Sequence, residues 1–241
     1  MTTDPELVPA EQVSAWLGDL PRPVAITGGT GFVGSHLVDT LTGAGVQPRV
    51  LMRDPRTPRW IRGRSVEAVR GDLGDPGALT RLVAGAATVI HMAGLVRAGR
   101  EAAFDNVNRA GTERLLEAVR AAAPEARLVH VSSLAAAGPS ASPEGVRPDD
   151  PPRPVSAYGR SKLAAERAVV AGLPPERWTV IRPPAIYGPR DTDVLAFFRM
   201  ASSGLAAVPS GERWISVVFV ADVVRAVLSA AARRGSGAVL H

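Results

Sequence analysis

Val24-Ala-Ile-Thr-Gly-Gly-Thr-Gly-Phe-Val-Gly34 passes from a short apolar run, through spaced glycines, into the amphipathic segment Phe32 to Leu41. Such a stretch reads as strand, tight loop and helix. Gly28, Gly31 and Gly34 stand three apart: the first permits the turn, the second lets backbone approach a pyrophosphate, and the third lets the helix pack closely on the strand. The free N–H groups of the helix start then face the phosphates, so Phe32 and Val33 belong to the same cradle as Gly28 and Gly31. The stretch predicts dinucleotide binding at the head of a βαβ unit.

Working outward, the next strand, Arg49 to Met52, ends in Arg53-Asp54-Pro55, about 20 residues past the glycine loop, where the adenosine ribose is read. An acid there would accept the 2′-hydroxyl of NAD. Arg53, with Arg56 close behind, instead offers charge-assisted bonds to a 2′-phosphate, which favours NADP(H) and leaves NAD(H) possible because Asp54 is adjacent. A strand from Val66 to Arg70, the turn Gly71-Asp72-Leu73, a helix from Pro76 to Ala84 and a strand from Thr88 to His91 follow, closing in Met92-Ala93-Gly94. Strands alternating with helices predict an α/β protein with a doubly wound parallel sheet. Its ligand crevice lies at the C-terminal strand ends, which places Asp72 and Leu73 at the adenine and Ala93 and Gly94 against the cofactor. No ligand cluster accompanies His91, so it reads as a strand residue, and no metal site is expected.

A helix from Glu101 to Ala123 carries Asn108, and the strand Arg127 to Val131 ends in Ser132-Ser133. After a loop rich in proline, glycine and serine over residues 138–155, read as a mobile edge of the site, comes Tyr158-Gly-Arg-Ser-Lys162. Lys162 is the sole lysine of the chain and Tyr158 one of its two tyrosines. Spaced i, i+4, they face the same way on a helix. An ammonium held nearby favours the phenolate, and a lysine suits a sugar hydroxyl better than an arginine fork does.

With 241 residues, 46 % of them hydrophobic, the chain can bury a substantial core. It has no cysteine, hence neither disulfide nor thiolate metal site. The start lacks a basic, apolar leader and no later run approaches a membrane span, so a cytoplasmic protein is expected. The net charge of +5 comes from arginines scattered among 23 acids, which argues against nucleic-acid binding. Residues 1–21 carry Val13, Trp16, Leu17 and Leu20 at helical spacing between Pro9 and Pro21, an amphipathic cover for the main domain.

Taken together, Thr27-Gly-Gly-Thr-Gly-Phe-Val-Gly34, Gly71-Asp72-Leu73, Val107-Asn-Arg-Ala-Gly-Thr112, Val131-Ser-Ser-Leu-Ala-Ala-Ala-Gly138, Tyr158-Gly-Arg-Ser-Lys162 with Glu166, Arg182-Pro-Pro-Ala-Ile-Tyr-Gly-Pro189 and Val220-Ala-Asp222 resemble the extended short-chain dehydrogenases/reductases, the NAD-dependent epimerase/dehydratase family. The resemblance implies hydride transfer at a carbonyl or carbinol carbon. Tyr158 then resembles the general acid/base, Ser133 the donor that holds the substrate oxygen, Lys162 the residue that binds the nicotinamide ribose and lowers the tyrosine pKa, and Asn108 the support of a proton relay. Backbone from Pro183 to Ile186 would meet the nicotinamide.

Departures from the family pattern bear on the substrate. Leu134 and Ala135 stand where sugar dehydratases carry an acid, Ala185 at or next to a position that nucleotide-sugar enzymes give to asparagine, and Ile215 where they place an arginine. The more apolar pocket resembles the hydroxysteroid dehydrogenase and dihydroflavonol reductase-like branch and predicts a small or medium-sized hydrophobic ketone or alcohol. A nucleotide-sugar epimerase and a non-catalytic dinucleotide-binding scaffold are the alternatives. The expected organisation is an extension over 1–21, a Rossmann core with the catalytic helix over 22–182, and a small, incomplete substrate lobe over 183–241 interleaved with the last core elements. A helix is expected near 193–203, and relatives of this kind often form homodimers through the helix that bears the tyrosine.

Overall fold

The structure, a computed structural model, describes residues 10–56, 59–140, 142–192, 202, 214–233 and 237–241, with the side chains of residues 10–13 outside that set. Pro9, the Val13 side chain and, apart from Ser202, the helix expected near 193–203 therefore lie outside the described residues.

Seven parallel strands form the central sheet: β1 (Val24–Thr27), β2 (Arg49–Met52), β3 (Glu67–Arg70), β4 (Thr88–His91), β5 (Arg127–Val131), β6 (Trp178–Ile181) and β9 (Ala238–Leu240). Their order is β3-β2-β1-β4-β5-β6-β9, a Rossmann-type sheet whose winding reverses between β1 and β4. Strands β1 and β4 are buried along their whole length, which is why they read as apolar runs and not as alternating ones. Two further strands, β7 (Ala185–Tyr187) and β8 (Val217–Phe219), pair parallel as a separate ribbon.

Helices cover both faces. On one lie α1 (Ala10–Gly18), α2 (Phe32–Gly43) and α7 (Val220–Ala232), which enclose a core containing Leu17, Leu20, Ile26, Leu37, Val50, Ile90, Val227 and Leu228. On the other lie α3 (Pro76–Val83), α5 (Ala110–Ala122) and α6 (Ala157–Gly172), over Leu79, Leu82, Val89, Leu115, Leu128 and Val180. Local chemistry starts two of these helices. Asp75 caps α3 by accepting the Ala78 N–H at 2.9 Å, with Pro76 at the first helical position, and Ser156 caps α6 by accepting the Gly159 N–H at 3.0 Å.

The single helix expected from Glu101 to Ala123 is interrupted. A short α4 (Glu101–Phe104) runs into one turn of π-helix over Asp105–Arg109, which contains Asn108, before α5 begins. Arg109 holds the turn by donating to Asp105 at 2.6 and 2.7 Å and to Glu113 at 2.9 Å. π-turns of this kind concentrate at functional sites. The loop over 138–155 is tied at its neck, where the Arg153 N–H donates to the Ala137 carbonyl at 2.7 Å, and at Val146, whose carbonyl meets His241 Nδ1 at 2.8 Å.

Residues beyond 182 return to the sheet: α7 is buried along Val220, Val223, Val224, Val227, Leu228 and Ala231, and β9 is its seventh strand. Leu228 is 1 % exposed. Leu228→Ala is expected to lower the unfolding free energy by about 2–5 kcal/mol, read from urea denaturation, because it opens a cavity in the sheet core. A change below about 0.5 kcal/mol would place α7 outside that core.

Candidate active site

The glycine loop leaves β1 at the point where the winding reverses. Gly28 has φ +76°, and a Cβ on it would lie 2.6–2.9 Å from the backbone of Met92 and Ala93 after β4. A Cβ on Gly34 would lie 2.1 Å from the Gly28 carbonyl oxygen, so only glycine lets α2 seat on the loop. Gly31 begins α2 with no side-chain cap, leaving the N–H groups of its first turn directed at the crevice. Beside them opens a cavity of about 570 Å³ lined by Gly28, Thr30, Gly31, Arg53, Asp72, Leu73, Ala93, Gly94, Asn106 and Arg114 among others. An uncapped helix start above a glycine cradle fits a dinucleotide pyrophosphate.

A second cavity, of about 850 Å³, shares Gly28, Gly31, Met92 and Gly94 with the first, so the two meet at the switch point. It is lined by Phe32, Val33, Ser133, Tyr158, Lys162, Pro183 and Ile186. All the residues expected at the cofactor, Arg56 apart, thus line one or both cavities. Ser133 caps a tight turn over Leu134–Ala136 and accepts the Ala135 N–H at 3.2 Å. Gly159 brings this turn and α6 together, since a Cβ there would lie 2.2 Å from the Ala135 carbonyl oxygen. Tyr158, stacked against Phe104 with ring centroids 6.1 Å apart, thereby meets Ser133.

Burial dominates the electrostatics of Tyr158 and Lys162. Burial pushes the Tyr158 phenol above its ordinary pKa of 10.0, and only the hydrogen bond with Ser133 pulls it back. The Lys162 ammonium is itself buried and donates to the Val131 carbonyl at 2.9 Å. Burial brings Lys162 down to about 8, with Glu166 opposing the shift.

Asn108 is 2 % exposed and lines neither cavity among the described residues. Its Oδ1 accepts the Leu95 N–H at 2.7 Å, while Nδ2 donates to the Leu95 carbonyl at 3.0 Å and to Ser161 Oγ at 2.8 Å. The amide therefore clamps the loop after β4 to α6. Its carbonyl ends a chain that begins in the cradle. The Thr112 hydroxyl donates to Asn108 O at 2.6 Å and so accepts from His91 Nε2 at 2.9 Å. That leaves His91 Nδ1 to accept the Thr27 hydroxyl at 2.6 Å, and Thr27 Oγ1 accepts the Ala93 N–H at 3.2 Å. His91 is thus a neutral brace between cradle and π-turn, a role its place on a strand could not reveal.

Beneath the site Glu166 accepts from Arg182 Nε at 2.9 Å, from Arg182 Nη2 at 2.7 Å and from the Ser132 hydroxyl. Both charged partners are 4 % exposed. The motif around Lys162 contained Glu166, yet its distant partner Arg182 is legible only in the fold. Arg56, expected to support Arg53, is instead paired with Asp54 at 3.0 and 3.2 Å. The two lie three and one residues beyond Arg53 in a tight turn, and the pair screens the Asp54 carboxylate.

Sheet order and glycine cradle define a Rossmann-type α/β fold, in which Ser133, Tyr158 and Lys162 line one cavity. The profile described as the NAD dependent epimerase/dehydratase family matches residues 24–239, and the chain belongs to that family. It is 45 % identical over 201 residues to a ceramide reductase of Caulobacter vibrioides (83 % of this chain, 57 % of that protein). It is 31 % identical over 221 residues to the 4-hydroxy-2-methyl-3-oxo-4-farnesyl-3,4-dihydroquinoline-1-oxide ketoreductase of Stigmatella aurantiaca (89 % of this chain, 66 % of that protein). The chain thus spans roughly three fifths of the length of these curated relatives. Among solved structures, MoeE5 in complex with UDP-glucuronic acid and NAD superposes with a TM-score of 0.77 at 30 % identity, over 91 % of this chain and 75 % of that one. No described helix is long and apolar enough to cross a membrane, and the described residues contain no cluster of metal-binding side chains.

His91 and His130 stack with ring centroids 5.1 Å apart, each 1 % exposed, and neither ring nitrogen of His130 has a hydrogen-bond partner among the described residues. Burial first and the Lys162 charge second bring His91 down to about 3, and the same causes hold His130 well below its ordinary 6.5. The folded chain then binds fewer protons than the unfolded one below pH 6.5, so stability is present above that pH and is lost as pH falls towards 3. Urea denaturation is expected to show a loss of about 1–1.5 kcal/mol per histidine between pH 7.5 and 5.5. His130→Phe should make the slope shallower; an unchanged slope would mean that His130 already carries its proton in the folded chain.

Proposed function

We propose that the chain is an NADP(H)-preferring reductase that moves a hydride between nicotinamide and the carbonyl carbon of an apolar ketone. The observation that carries this reading is the convergence of Ser133, Tyr158 and Lys162 in one cleft that opens into the dinucleotide cradle. When bound, the nicotinamide supplies the hydride. Tyr158 gives its proton to the carbonyl oxygen as negative charge develops there, and Ser133 holds that oxygen beside the phenol. The phenol, which burial pushes above its ordinary pKa of 10.0, is protonated at neutral pH, the state a reduction requires. Lys162 lies at the same wall to take the ribose hydroxyls, and Asn108 positions α6 through Ser161.

The apolar substrate is supported by Val131, Leu134, Ala135, Pro184, Ala185 and Ile215 in the cleft lining, and by relatives named for a ceramide and a farnesyl-bearing ketone. NADP(H) is supported by Arg53 at the end of β2, exposed in the nucleotide cavity beside an Asp54 that Arg56 engages. A chain without cysteine suits the cytoplasm.

Thermal unfolding with NADPH and with NADH tests the cofactor, since a ligand that binds only the folded state raises Tm. NADPH should give the larger shift, and Arg53→Ala should weaken NADPH about 10- to 100-fold while sparing NADH. A larger shift with NADH would remove Arg53 as the phosphate reader. Tyr158→Phe should cut turnover of a hydrophobic ketone about 10²- to 10⁴-fold with NADPH affinity unchanged; wild-type turnover in that variant would end the proposal.

A further inference from the structure

The substrate cleft is polar at one end and apolar at the other. Its inner end holds Ser133, Tyr158 and Lys162. Its mouth holds Val96, Val155, Trp214 and Ile215, which are 60, 75, 60 and 78 % exposed. Single exposed apolar side chains are ordinary, but several gathered on the rim of one cleft mark a ligand groove. These four come from three separate segments, following β4, preceding α6 and preceding β8, so their meeting is a product of the fold.

Charge points the same way. Among the described residues that line the cleft, only Lys162 and Asp191 are charged. Lys162 is buried and turned to the Val131 carbonyl. The described lining therefore offers no cation to hold a sugar nucleotide's pyrophosphate at the mouth. Nor can the cleft swallow a long ligand, because its 850 Å³ must also receive the nicotinamide end of the cofactor beside Lys162.

We propose that the substrate is an uncharged amphiphile: its ketone and polar head reach Ser133 and Tyr158, and its long alkyl chain leaves the cleft over Val96, Val155, Trp214 and Ile215. The inference rests on the ketone-reductase reading and adds to it where the tail lies. The tail covers apolar surface that otherwise faces water, so affinity grows with each methylene that reaches the rim and stops growing once the chain runs past it.

The test uses N-methyl 3-oxoalkanamides from C4 to C16 with the whole chain, by turnover with NADPH and, separately, by calorimetric binding in the presence of NADP⁺. Affinity and kcat/KM should rise by up to about fourfold per added methylene through the middle of the series and then level off. In Val155→Asp and in Ile215→Asp the C12-to-C4 ratio should fall at least about tenfold; both positions are exposed, and the milder Ile215→Ser should lower it in the same sense. Chain-length-independent binding and turnover, with turnover still lost in Tyr158→Phe, would overturn the rim and keep the reductase. Binding that grows with chain length but no reduction at any length would keep the rim and overturn the reductase. Displacement of the C12 amide by a UDP-sugar at lower concentration would overturn the rim.

Discussion

The backbone contact between Gly28 and Met92-Ala93 is the constraint on which the rest of the structure depends. β1 and β4 are paired side by side, but the connections that follow them leave to opposite faces of the sheet, and the space between those connections is the crevice. No side chain fits at Gly28, and none fits between Gly34 and the Gly28 carbonyl. The contact holds the uncapped start of α2 over the crevice and lets the first cavity run into the second. A loop held away from β4 by a methyl group would separate the two halves of the site.

Around that contact, groups that would be costly to bury alone are satisfied by one another. The chain Ala93–Thr27–His91–Thr112–Asn108 joins the cradle to the π-turn through four hydrogen bonds, all buried or nearly so. Glu166 answers Arg182 and Ser132 beneath the catalytic cluster. Removing one partner of such a pair strands a buried charge, which costs far more than the pair contributes. The result is a hydrogen-bonded floor beneath Ser133 and Tyr158. His130, packed on His91 with no hydrogen-bond partner among the described residues, is the exception in this layer.

Much of this was legible in the chain. β2, β4 and β5 occupy the residues their apolar runs and flanking turns predict, because parallel strands buried on both faces leave an unbroken apolar signature. The glycines announced the cradle because they are backbone requirements, readable one residue at a time. Three features were not legible. The π-turn at Asp105–Arg109 hides inside a good helical pattern, since one extra residue in a turn hardly disturbs periodicity. The pairing of Arg56 with Asp54 depends on the shape of a turn. The upward push on Tyr158 comes from burial by Phe104 and the neighbouring elements, whereas the i, i+4 spacing suggested only that Lys162 would draw it down.

The sequence by itself determined the α/β architecture, the glycine cradle and the set of side chains available for chemistry, because each follows from local spacing along one strand, turn or helix. Only the tertiary structure decided which of them work together: Asn108 as a clamp, His91 as a brace, Glu166 with Arg182 as a floor, and Val96, Val155, Trp214 and Ile215 as one apolar rim. These are contacts between segments far apart in the chain. Their partners are chosen by strand order and helix packing, and no spacing along the chain records that choice.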